Sequence, residues 1–311
     1  FEVDDELRLM FLCCSPELPV SGRVALALNV AFGLEAARIA RLLLSDERTL
    51  AQRIVRAKQR LRTLEPDFEI PGRDELGPRL EAMLDVLYLV FTEGHTPSDG
   101  DRTSGEALCA ETLRLVRLLT AWPGTATPAA EALHSLLCFQ ASRFAARHAD
   151  DGSLLLLPEQ DRGRWSAALA EEGFDLLARA SRGEQLTRFH VEAAIASCHA
   201  AAPSHAATDW PRIVELYDVL RRLSPSPIVD VGRAVAVAMT SGALAGIDEL
   251  DAIAERDVVQ RYPYALAAYA DLHASLGNLE QARAYLDRAL EQQASPAQRG
   301  LLARKRSALE R

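Results

Sequence analysis

Apolar residues recur at spacings of three and four along almost the whole of this chain, and that period leaves helices as the building block. Leu7, Met10, Phe11 and Cys14 set the pattern within 4–14, and a second apolar helix is expected over 20–32, closed by Gly33 in a left-handed cap. Helices at 34–44 and 47–64 follow. The stretch "IPGRDELGP" is expected to be a linker, and a middle block of four helical segments then runs from about Leu76 to Arg182. β-branched runs are short, so the fold class expected is all-α.

The last block, from about Gln185 onward, repeats itself. "SGALAGIDELDAI" and "LGNLEQARAYLDRAL" place Gly242 and Gly277 35 residues apart, each opening a helix, and one more step back reaches "ATDWPRIVELYDVL". A period near 34 with paired helices is the signature of a tetratricopeptide-like solenoid. Gly277, Ala282, Leu286 and Ala289 fall at the turn and packing positions of such a unit. Three domains are therefore expected: a helical module at 1–66, a central helical domain at 67–184, and a repeat array at 185–311.

Charge singles out the first of these. Residues 34–62 hold eight basic side chains and three acidic ones, a local charge of +5 in a chain of net charge −9. The helix expected at 47–64 has two faces. Leu50, Ile54, Ala57 and Leu61 lie within about 60° of one another on a helical wheel and must pack inward. Arg48, Gln52, Val55, Arg56 and Gln59 occupy the opposite side, with Arg53 and Arg60 at its margin. Ser45 or Asp46 can cap its N-terminus. Guanidinium groups grip phosphate or pair with guanine, and amides read adenine edges, so this face suits a DNA major groove.

The remaining residues exclude several alternatives. Five cysteines without C-x-x-C spacing give no disulfide framework and no zinc site, and favour a reducing cytoplasm. Vicinal Cys13 and Cys14 are either redox-sensitive or two small buried side chains. His190 and His199, on either side of Glu192 and Cys198, stand nine residues apart on one helix. That is about 13 Å along the axis, too far to share a metal ion. No nucleophile, metal or nucleotide motif of an enzyme is present, so neither catalytic residue nor cofactor is expected. No apolar run approaches the roughly 18 residues that would span a bilayer. No charged-then-apolar leader opens the chain, so a signal peptide is not expected. The loops "TEGHTPSDGD" and "DDGSLLLLPEQDRGRW" turn the chain or form a ligand groove, and Trp165 and Trp210 either line a groove or pack between helices.

The order of residues in "RIARLLLSDERTLAQRIVRAKQRLR" resembles region 4 of bacterial RNA polymerase sigma factors of the extracytoplasmic-function class. Ile39, Ala40, Leu42, Glu47, Thr49, Arg53, Ile54, Arg56, Ala57, Lys58, Leu61 and Arg62 carry the likeness. "DDELRLMFLCC", "YLVFTEGHT", "EQDRGRW", "AAIASCHAAAP", "TDWPRIVELYDVL" and "SPIVDVGRAVAVA" extend it over essentially the whole chain. They are similar to a subgroup with a tetratricopeptide-like C-terminal extension. Departures are Arg38 for a glutamate, Ala51 for a basic residue, Ser15 for His and Gly232 for Asn. The resemblance implies a helix-turn-helix that reads the promoter −35 element through Arg48, Thr49, Gln52, Arg53, Val55, Arg56, Gln59 and Arg60. It also implies core RNA polymerase as a partner, a region 2 upstream of Phe1, and an extension that regulates activity or binds a protein partner. The alternatives are a ligand-responsive helix-turn-helix regulator with a helical sensor, and a scaffold whose basic helix is merely solvated.

Overall fold

A computed structural model describes residues 5–43, 45–64, 73–97, 100–292 and 294–310. Among the described residues the chain is all-α, without a strand, and His148 and Leu154 form an isolated bridge. It divides into two compact units, Phe1–Leu133 and His134–Arg311. The domain boundary expected at 66 lies outside the described residues, and that expected at 184 lies in the connection between two helices.

The first unit begins with α1 (Asp5–Cys13), α2 (Val20–Val30), α3 (Ala36–Leu42) and α4 (Glu47–Leu64). Leu7, Met10, Phe11 and Cys14 are all buried, as their spacing requires. After α2, Gly33 takes φ +64°, and the Leu34 N–H donates to Leu28 O at 3.1 Å. This six-residue closure needs a left-handed residue before its donor, which glycine adopts without strain. Burial pushes the Cys13 thiol up to about 12 and Cys14 higher still, so both stay protonated and behave as packing residues.

Two long helices complete this unit, α5 (Arg73–His95) and α6 (Arg102–Ala121). Helix α5 corrects the expected linker, because it starts at Arg73 and contains Pro78. The first four N–H groups of any helix are free, so a proline two residues further in removes a single hydrogen bond near the end. Leu80, Met83, Leu84, Leu87 and Val90 then bury a continuous stripe that holds the helix. Helices α5 and α6 meet at Gly94 and Gly105. A Cβ on Gly105 would fall 2.5 Å from Gly94 O and would also strike Pro97. Gly105→Ala should therefore destabilise this unit by about 1–3 kcal/mol, read from its urea midpoint. An unchanged midpoint would mean that the two helices separate freely.

Next comes α7 (Pro128–Ser142), within which the division between the units falls. The sequence pattern extends this helix to His148, but it stops at Ser142. The Ser142 carbonyl accepts from the Ser166 N–H at 2.8 Å, and a 3₁₀ turn at Phe144–Ala146 follows. That distant donor satisfies one of the carbonyls left free at the end of the helix.

In the second unit α8 (Ala167–Ala180), α9 (Arg188–Ala201), α10 (Trp210–Leu223), α11 (Pro227–Ser241) and α12 (Ala243–Asp251) follow. The short α13 (Asp257–Arg261) precedes α14 (Pro263–Ser275), α15 (Leu279–Glu291) and α16 (Pro296–Ala308). Three core clusters overlap in chain order: one joins α9, α10 and α11, the next α11 to α14, the last α14, α15 and α16. Gly242 and Gly277, at φ +93° and +78°, precede α12 and α15. Ala282, Leu286 and Ala289 are buried. Gly232 sits under Tyr217: a Cβ there would lie 2.5 Å from the phenol oxygen. Ion pairs fasten successive helices. Arg233 reaches Asp218 at 2.7 Å and Glu249 at 2.5 Å, and Asp230 takes Arg221 at 2.8 Å and Arg256 at 2.7 Å.

Candidate nucleic-acid interface

Helix α4 begins because Asp46 caps it. The Asp46 Oδ1 accepts from the Thr49 N–H at 2.8 Å, and this bond holds the Asp46 carboxyl below the usual carboxylate range. Ser45, the other capping candidate, precedes it. The helix then splits as its wheel requires. Leu50, Ile54 and Ala57 are buried and Leu61 is half-buried, whereas Arg48, Thr49, Gln52, Val55, Arg56, Gln59 and Arg60 are exposed. Arg53 is half-buried at the margin. All eight site residues inferred from sequence are thus on α4, seven of them facing solvent.

The cations of this face are largely unengaged. Arg60 approaches Glu17 at 3.6 Å, an exposed pair of small energetic weight. Arg48, Arg53, Arg56 and Lys58 form no ion pair among the described residues. Val55 stands 53% exposed in the middle of the face, an apolar contact point flanked by Gln52 and Gln59. A row of guanidinium and amide donors around one apolar side chain can bind phosphates and base edges together.

One member of the basic segment points elsewhere. Arg38 on α3 donates through Nε to Glu93 at 2.9 Å and through Nη1 to Ser104 Oγ at 3.0 Å. The two charged side chains are 13% and 3% exposed. Arg38 is therefore a tie between α3, α5 and α6, and its charge does not reach a ligand on α4. Sequence spacing could not reveal this, since the partner lies 55 residues away.

The second unit contains a donor set that sequence reading missed. His134 and Cys138, four residues apart on α7, and Glu172 on α8 bring ligand atoms within 4.8 Å of one another. A divalent ion such as Zn²⁺ accepts this set. A His–carboxylate pair, with Nε2 and Oε1 at 3.2 Å, accounts for the same approach without an ion. The four-residue spacing of His and Cys was the available signal. His190, by contrast, turns its Nδ1 to the Thr187 hydroxyl at 2.8 Å and serves the start of α9, while His199 packs edge-on against Trp210.

A family of unknown function, DUF6596, matches residues 79–181. An uncharacterized protein of Rhizobium meliloti (strain 1021) is 38% identical over 288 residues, covering 92% of this chain and 67% of that protein. The chain belongs to the family of that protein. Within it, the DUF6596 segment starts in α5 and ends just beyond α8, so α4 lies before it. No solved structure matches.

Proposed function

We propose that the chain is part of an RNA polymerase sigma factor of the extracytoplasmic-function class, with α1 to α4 as its region 4. In this reading α3 and α4 are a helix-turn-helix, and α4 enters the major groove of the −35 element with Arg48, Thr49 and Gln52 leading. The observation that carries the reading is the exposed, unengaged cationic and amide face of α4 opposite a buried Leu50–Ile54–Ala57 stripe. The sequence likeness supplies the particular class. The remainder of α1 to α3 would hold the module on core RNA polymerase in the cytoplasm. Helices α9 to α16 would form a tetratricopeptide-like array: their core clusters share helices in sequence, and helix-opening glycines recur near the repeat period. Such an array regulates the module or recruits a protein partner.

The face makes two kinds of contact, and substitution separates them. Arg56→Ala or Gln52→Ala should cost about 1–3 kcal/mol at the cognate −35 duplex and relax specificity there. Arg53→Ala should weaken all duplexes alike and flatten the salt dependence of binding by about one phosphate contact. Arg60→Ala should behave in the same way, less the small offset of its pair with Glu17. Fluorescence anisotropy at several salt concentrations measures both effects. Unchanged affinities in all four variants would overturn the proposal.

A further inference from the structure

Between the end of α7 and the start of α10, the second unit gathers positive charge. Arg143 and Arg147 follow α7, Arg162 opens the 3₁₀ turn Arg162–Arg164, and His199 and His205 flank the end of α9. The guanidinium carbons of Arg143 and Arg162 lie 6.0 and 4.5 Å from the ring centroid of Trp165. The rings of His199 and His205 meet Trp210 edge-on at 5.2 and 5.1 Å. Arg162 ties the two groups together, its Nη1 donating to His199 O at 2.6 Å and Ala202 O at 2.7 Å.

A buried charge is costly unless something of opposite sign accompanies it. Among the described residues no carboxylate pairs with Arg143 or Arg162, and Arg143 Nη2 donates only to the neutral Gln140 amide. The cationic groups instead oppose one another. Burial, Arg147 and Arg162 together bring the Arg143 guanidinium down to about 10. Burial, Arg143, His205 and Arg162 hold His199 at about 4, so that its ring is neutral.

Donors predominate among the unpartnered buried atoms of this stretch, which also include Gln160 Oε1, His199 Nδ1 and Thr208 Oγ1. Arg143 Nε, Arg162 Nη2 and the indole nitrogens of Trp165 and Trp210 are buried without a hydrogen-bond partner. Trp210 is 9% exposed, while Arg162, Trp165 and His205 remain partly open to solvent, which gives a ligand a way in. Guanidinium and indole nitrogens only donate, so the group that satisfies them must only accept. These four nitrogens cannot ligate a metal ion, and they fit an oxyanion.

We propose that Arg143 and Arg162, walled by Trp165 and Trp210, form a binding site for the phosphate or carboxylate group of a small molecule. The cap that Arg162 places on the carbonyls of α9 accounts for its Nη1, and the helix dipole offsets part of its charge. Neither reaches Arg143, nor the second nitrogen of Arg162. An oxyanion held between the two guanidinium groups supplies the missing negative charge and accepts from both. The site is independent of whether α4 binds DNA.

Titration of the full chain with inorganic phosphate, followed by tryptophan fluorescence at constant ionic strength, tests this directly. A saturable change is expected, with a rise in melting temperature beyond that given by chloride. Arg143→Gln should weaken phosphate binding roughly tenfold or more, because a charge-assisted hydrogen bond is lost. Arg143→Lys, which keeps the charge, should retain part of it. Succinate in a parallel titration distinguishes the source: saturation by succinate and not phosphate, again lost in Arg143→Gln, assigns the site to carboxylates. No saturable response to either anion, or a response identical in the native chain and Arg143→Gln, would overturn the proposal.

Discussion

Arg38→Ala should destabilise the first unit by about 3–5 kcal/mol, although Arg38 belongs to the segment that carries the basic face. The substitution leaves Glu93 as a buried carboxylate, 3% exposed, with its Arg38 partner at 2.9 Å removed. Ser104 loses a donor at the same time. Arg38→Lys should cost less, since the charge survives while the two-nitrogen reach to Glu93 and Ser104 does not. Replacing Arg38 and Glu93 together by apolar residues of similar size should recover much of the loss, because the desolvation cost of both charges is removed with the pair. Urea denaturation of the four proteins measures this. A midpoint for Arg38→Ala equal to that of the native chain would show that Glu93 finds other partners of equal strength.

Leu50→Ala is expected to cost about 2–5 kcal/mol, and Ile54→Ala about as much, because both side chains are buried between α4 and the helices it packs on. The control is one residue away. Val55, 53% exposed, should tolerate alanine within about 0.5 kcal/mol. The comparison is sharp because α4 turns by 100° at each residue, so neighbouring positions report opposite faces. If Val55→Ala proved as damaging as Ile54→Ala, the buried and exposed faces of α4 would be interchanged, and the DNA-reading proposal would fail with them.

These two results differ in how far the sequence foretold them. The Leu50, Ile54, Ala57 stripe follows from a period of 3.6 within one helix, so a short window contains all the information needed. Gly33 is similar, since it follows an apolar run where a helix must stop, and Gly242 and Gly277 are marked by their 35-residue spacing. The role of Arg38 was hidden, because a solvated arginine and a buried, paired one look alike in sequence. Its partner Glu93 is specified by how α3, α5 and α6 pack and by nothing local. The premature end of α7 has the same origin, since the Ser166 N–H that takes the Ser142 carbonyl is 24 positions along the chain. The start of α5 is obscured for a different reason: Pro78 reads as a linker residue, yet it lies near a helix start, where its missing N–H matters least.

The candidate interface was legible as a face, and its chemistry was legible as a composition. What a sequence window could not supply was which cations are already engaged. Arg38 proved to be taken and Arg60 partly so, while Arg48, Arg53 and Arg56 remain available. The cationic cluster around Trp165 was visible only as a polar loop with a tryptophan, because Arg143, Arg162 and His199 come from three separate segments. Long-range convergence of like charges has no local signature.

Gel filtration of the chain mixed with bacterial core RNA polymerase tests the proposed function most directly. The sigma-factor reading predicts that the chain co-elutes with the core enzyme, that Leu50→Ala reduces the co-eluting fraction by unfolding the module, and that Arg56→Ala leaves it unchanged because that side chain faces DNA. Elution of a folded chain apart from the core enzyme, while it still binds duplex DNA, would contradict the reading and favour a free-standing helix-turn-helix regulator.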